Sequence, residues 1–140
     1  MVAVFNLKIP GWASSAGKHA TLPVGFFVEH EKHMFEHANR VQPIYFDYPY
    51  EKLDDVTIEL PSGWQISSVP APKTQDAKLL VYDLKVENSG GKLHVVRKLD
   101  MDVMILEVKY YPAVRQFFQL VRSGDEEQVL LQPGAISAGN

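Results

Sequence analysis

Apolar and polar residues alternate with a period of two through much of this 140-residue chain, the pattern of half-buried β-strands. In "VTIELP", Val56, Ile58 and Leu60 share one face while Thr57 and Glu59 share the other. Pro61-Ser62-Gly63 breaks the run, and "WQISSV" resumes it with Trp64, Ile66 and Ser68 against Gln65, Ser67 and Val69. "KLLVYDLKVEN" sets Leu80, Tyr82, Leu84 and Val86 opposite Asp83, Lys85 and Glu87. Asn88-Ser89-Gly90-Gly91 offers the positive φ angles of a tight reversal. Beyond it, Leu93, Val95, Leu99, Met101, Val103 and Ile105 fall on one face, interrupted by Arg97. A long antiparallel hairpin follows from this symmetry. "VAVFNLKIP" and "EEQVLLQP" also have strand character.

One segment follows a different period. In "YYPAVRQFFQLVRSG", Val114, Phe117, Phe118 and Val121 stand at i, i+3, i+4 and i+7, which predicts a helix near residues 112–123. Pro112 suits its first turn, Arg122 its last, and Gly124 the position just past its end. The expected fold is mainly β: an antiparallel two-layer β-sandwich of about seven to nine strands, Ig- or fibronectin-like in architecture, with that one late helix. Residues 1–134 make a single domain on this reading, and "AISAGN", residues 135–140, a flexible tail.

Composition narrows the function classes. A formal charge of −3, with no block of basic residues, gives no footprint for nucleic acid. No apolar run approaches the roughly 20 residues that span a bilayer as a helix. The absence of cysteine excludes disulfides, thiolate metal sites and cysteine nucleophiles. The first residues lack the charged start and small-residue cleavage site of a signal peptide, and their abrupt strand-like opening suggests a piece of a longer protein.

The densest candidate chemistry is "VEHEKHMFEHANR", with His30, His33 and His37 among Glu29, Glu31 and Glu36. His33-Met34-Phe35-Glu36-His37 reads H-x-x-E-H, in which a helical turn brings two imidazoles to one zinc ion and the glutamate to its bound water. Val41, Pro43 and the aromatic run after them argue for extended chain over residues 34–41. His33 and His37 would then lie roughly 13 Å apart at ~3.3 Å per residue, too far to share an ion. His30 and His33 could still meet in a turn and hold an incidental metal.

Weaker candidates fail on spacing. "GWASSAGKH" places five residues between Gly11 and Gly17 and follows Lys18 with His19, so it misses the phosphate-loop pattern twice and reads as a flexible surface loop. Asp54-Asp55 and Asp100-x-Asp102 lack the further oxygen ligands of a calcium loop and read as a solvated face. Trp12, Tyr48 and Tyr50 form a possible ligand surface whose rings could stack on sugars or peptides. No G-x-S-x-G elbow presents a nucleophilic serine.

Four stretches, "FEHANRVQPIYFDYPY", "DDVTIELPSGWQI", "LLVYDLKVENSGGKLHVVRKLDM" and "YYPAVRQFFQLVRSGDEEQVLLQ", together resemble the C-terminal region of large bacterial transglutaminase-like proteins. In that family a papain-like catalytic domain is followed by a β-sandwich domain of unknown function. The resemblance spans residues 5–133 and rests on strand and turn patterns such as "R-x-x-P-I-x-F", with no catalytic signature. It implies a non-catalytic accessory domain that packs against upstream domains of its parent protein or mediates protein or glycan interaction. It also implies a periplasmic or otherwise exported location, no cofactor, and no catalytic residue in this stretch. The alternatives are a carbohydrate- or small-ligand-binding module using Trp12, Tyr48 and Tyr50, and a metal-dependent hydrolase using His33, Glu36 and His37.

Overall fold

The computed structural model describes residues 1–28 and 34–134. Two four-stranded antiparallel sheets carry the architecture. In chain order the strands are β1 (Ser14–Ala16), β2 (His19–Pro23), β3 (Ile44–Tyr45), β4 (Tyr50–Ile58), β5 (Trp64–Ser68), β6 (Lys73–Asp76), β7 (Leu80–Ser89), β8 (Lys92–Met101), β9 (Ile105–Leu106) and β10 (Gln128–Pro133). A short 3₁₀ turn, Val108–Tyr110, leads into helix α1 (Tyr111–Asp125) between β9 and β10. One sheet runs β1-β2-β10-β5, the other β4-β8-β7-β6, and β3 with β9 forms a separate two-stranded ribbon. The mainly β, antiparallel, sandwich-like fold agrees with the alternation in the sequence.

The β7–β8 hairpin forms as expected. Leu80 pairs with Met101 and Ser89 with Lys92, and Gly90 and Gly91 hold φ values of 61° and 84° at the tip. Both central residues at positive φ match the right-handed twist of the flanking strands. Asn88 closes the turn by accepting the Gly91 N–H at 3.1 Å. On the inner face Leu80, Tyr82, Leu84, Val86, Leu93, Val95, Leu99 and Met101 are buried. They share one core with Ala20 and Leu22 of β2, Val129 and Leu131 of β10, and Val114, Phe117, Phe118 and Val121 of α1. Burying apolar surface at about 25 cal/mol per Å² makes this shared layer the main source of stability.

Several expectations are corrected. Residues 1–9 join no strand, and Phe5, Leu7 and Ile9 are exposed. Residues 34–41 are neither strand nor helix, and Phe35 takes a φ of 62°, a left-handed conformation uncommon for a bulky side chain. "SSAGKHA" is a β-hairpin, not a loose loop: Ala16 pairs with His19 across a turn in which Gly17 has a φ of 64°. β8 ends at Met101, so Ile105 leaves the buried face and is exposed on the β3–β9 ribbon.

The helix is longer than its periodicity suggests. It runs Tyr111–Asp125, with Pro112 in the first turn and Arg122 in the last, and Gly124 lies inside it with no positive φ. The reason for glycine there is space. A Cβ at position 124 would sit 2.3 Å from the Tyr82 hydroxyl and 2.9 Å from two of its ring carbons. The helix end therefore rests directly on the fully buried Tyr82 ring.

Candidate functional site, a polar cleft beside helix α1

Arg97 breaks the apolar alternation of β8, yet its side chain faces the core and the residue is only 2% exposed. A buried guanidinium requires a partner, and α1 supplies one. Arg97 Nε and Nη2 donate to Asp125 Oδ1 and Oδ2 at 2.5 and 2.8 Å, a bidentate fork. The Tyr82 hydroxyl donates to the same Oδ1 at 3.0 Å, and the Arg97 guanidinium lies 5.6 Å from the Tyr82 ring centroid. Burial pulls the Arg97 pKa down, but the hydrogen bonds and charge of Asp125, with smaller help from Tyr82 and Asp54, leave it raised. Burial first, and the Asp125 charge second, push the Tyr82 phenol far above its ordinary range. The trio clamps the C-terminal end of α1 to the sheet.

Nη1 of Arg97 is the exception. It is buried without a hydrogen-bond partner, and the carboxylate of Asp54 stands 3.8 Å away. Nε of Arg115, on α1, is likewise buried and unpartnered. Both arginines line a cleft of about 750 Å³, a volume in the range of small-molecule sites. One wall is a stripe along α1, Arg115, Gln119 and Arg122, at helical spacing beside the buried face and continued by Glu126 just past the helix end. Trp12, Tyr50 and Phe118 supply rings, and Gly25 and Val28 close another side.

The candidates named from sequence are placed unevenly. Trp12 stacks on Phe26 at 5.1 Å between centroids, and its indole N–H donates to the Pro23 carbonyl at 3.3 Å. Tyr50 joins it on the cleft, with the Lys52 ammonium 5.5 Å from its ring centre. Tyr48 packs edge-on to Tyr50 at 6.1 Å and stands outside the lining, 65% exposed. His37 contributes its carbonyl, which accepts the Tyr111 hydroxyl at 2.6 Å, while its side chain is exposed. Glu36 lies on the cleft, its Oε1 3.6 Å from Arg122. His30 and His33 lie outside the described residues, as does the 135–140 tail.

Among the described residues, no three metal-ligating side chains gather. Asp55 instead bonds His94 at 2.7 Å, and Asp54 faces Arg97. Phe35 is wedged among Phe46, Tyr111 and Phe118, with centroids 6.0, 6.0 and 5.0 Å away. That wedge anchors the loop to the start of α1 and accounts for the unusual backbone of Phe35.

The fold and cleft can be set beside known proteins. The family model described as "Domain of Unknown Function with solved-structure structure (DUF3858)" matches residues 18–131, from β2 through β10. The chain belongs to the DUF3858 family. A crystal structure from Parabacteroides distasonis ATCC 8503, described as that of a "putative protease", is similar to it in fold, with a TM-score of 0.59 at 12% identity. The alignment covers 69% of this chain and 19% of the P. distasonis chain, so the shared fold is a small part of that longer chain. No curated protein matches the sequence. No described helix is long and apolar enough to cross a membrane.

Proposed function

We propose that this DUF3858 domain is a non-catalytic accessory module that docks against the catalytic part of a longer, exported polypeptide, of the transglutaminase-like or papain-like kind. The observation that carries this reading is the size relation: the fold recurs as 19% of a chain described as a "putative protease". An apolar surface supports it. On the β3–β9 ribbon, Tyr45 and Ile105 stand directly opposite one another and are 68% and 56% exposed, with Met104 beside them. A contiguous exposed apolar patch is a candidate contact surface. The inner faces of both sheets are consumed by the core, so docking falls to the ribbon and outer surfaces.

The test uses the full-length polypeptide and an Ile105→Lys variant. Docking predicts that the substitution leaves the melting temperature of the isolated domain unchanged but makes the boundary before this domain susceptible to limited proteolysis. Equal protection of both proteins would refute the docking role of the ribbon. A second reading, a small-ligand module, is favoured by Trp12 and Tyr50 lining one cleft.

A further inference from the structure

We infer that the cleft beside α1 binds a carboxylate, held by Arg115 with Arg97 beneath it. Three arginines line the cleft, and their partners differ. Arg97 is neutralised by Asp125, and Arg122 by Glu126 at 2.8 Å with Glu36 at 3.6 Å. Arg115 makes no ion pair among the described residues; its one hydrogen bond is a long 3.4 Å contact from Nη2 to the Glu36 carbonyl. Its Nε–H and the Nη1–H of Arg97 are both shielded from water and lack hydrogen-bond acceptors, although the Asp54 carboxylate stands 3.8 Å from the latter.

Leaving a buried donor unpaired costs about 1–3 kcal/mol, more for a charged group. Both guanidinium groups belong to residues lining one cleft, and Arg115, half-buried and held by that single long contact, turns its donors toward a ligand that brings acceptors and negative charge. A carboxylate has two oxygens in one plane and about four lone-pair sites, enough to take two N–H donors of the Arg115 guanidinium at once. Phosphate chemistry fits less well, because Glu36, Asp125 and Glu126 share the lining and oppose a second negative charge. Trp12, Tyr50 and Phe118 offer apolar surface for the body that carries the carboxylate. The acid could belong to a peptide or to a sugar acid. This site does not rest on the docking reading, and its test uses the isolated domain.

The experiment follows ¹H–¹⁵N spectra of the domain as N-acetylalanine, its amide, glucuronate or glucose is added. The reporters are the Arg115 and Arg97 Nε–H and the Trp12 indole N–H. One or both acids should produce saturable shifts at all three, and the uncharged counterparts none. Response to N-acetylalanine alone identifies a peptide source, to glucuronate alone a sugar acid, and to both a site satisfied by carboxylate itself. Arg115→Gln should weaken binding by roughly tenfold or more, as expected for a lost charge-assisted bond, with Arg115→Lys intermediate. Lys85→Gln, on the outer face of β7, should bind as the parent does. Absence of saturable shifts, equal binding of acid and amide, or unchanged affinity in a folded Arg115→Gln variant would overturn the inference.

Discussion

Removing the Asp125 carboxylate strips three hydrogen bonds from the junction of α1 with the β4–β8–β7–β6 sheet, two from Arg97 and one from Tyr82. In Asp125→Ala, the acid left beside Arg97 among the described residues is Asp54 at 3.8 Å, facing a guanidinium that the parent fold buries almost completely. Breaking a buried ion pair by deleting one partner costs about 3–5 kcal/mol. The Asp125 side chain is 13% exposed, so water reaches the gap and the lower end applies. The orphaned Tyr82 hydroxyl would add about 1–3 kcal/mol in isolation, but the groups share one network and their costs overlap. The expected loss is about 3–4 kcal/mol, a large part of the roughly 5–15 kcal/mol that holds an ordinary domain together.

The pair itself is a different matter, because its desolvation cost offsets much of its attraction. An Arg97→Met/Asp125→Leu double variant carrying Tyr82→Phe removes charge, acceptor and donor together. Apolar replacement of buried ion pairs is often neutral or stabilising by about 1–4 kcal/mol, so this triple variant should regain most of what Asp125→Ala loses. Urea unfolding of the parent, the single variants and the triple variant supplies midpoints and slopes for the comparison. A loss below about 1 kcal/mol in Asp125→Ala, or a triple variant no more stable than the single one, would refute the clamp, given the coupling expected of touching groups.

Two further predictions concern the same junction. Gly124→Ala forces its Cβ to within 2.3 Å of the Tyr82 hydroxyl. Overpacking of a filled core costs about 1–3 kcal/mol, which outweighs the ~1 kcal/mol that alanine gains over glycine in a helix; a variant as stable as the parent in urea would contradict the close approach. Alkaline stability is the second. The Tyr82 phenol is raised above its ordinary value of 10.0, chiefly by burial and then by the Asp125 charge, so the unfolded chain releases that proton first. Its contribution is fully present below about pH 10 and declines as pH rises beyond, by up to ~1.4 kcal/mol per pH unit. Urea melts between about pH 9 and 11.5 should show this decline in the parent and a shallower one in Tyr82→Phe; parallel profiles would place the alkaline loss elsewhere.

The legible part of the fold was the part set by period and turn chemistry. Leu80 to Val86 and Leu93 to Met101 alternate because one face meets a core, and Gly90-Gly91 fixes their register. Elsewhere, long-range packing overrides the local rule. Strand-like residues 1–9 find no pairing partner among the described residues, and a period of two describes strands only when a neighbour supplies hydrogen bonds. By local chemistry Gly124 is a helix terminator, because glycine usually serves there through its φ; its actual reason, the hydroxyl of a residue 42 positions earlier, leaves no local trace. The cleft was half legible. Trp12 and Tyr50 were visible as aromatics, while Arg115, Gln119 and Arg122 resembled the ordinary solvated flank of an amphipathic helix.

Arg97 was the readable signal for the rest. One charged residue on an otherwise apolar strand face must either expose itself, at the cost of twisting the strand, or bring a counter-charge into the core. β8 is paired on both sides, to β4 and β7, from Leu93 to Met101, so twisting it out would cost two ladders of hydrogen bonds. The counter-charge therefore had to arrive from the layer above, and α1 is the element that covers this face. Its last turn carries Asp125, which fixes where the helix stops against the sheet and hence which flank of it overlooks the cleft. The break in alternation at position 97 thus sets both the depth of the clamp and the position of the arginine stripe above it.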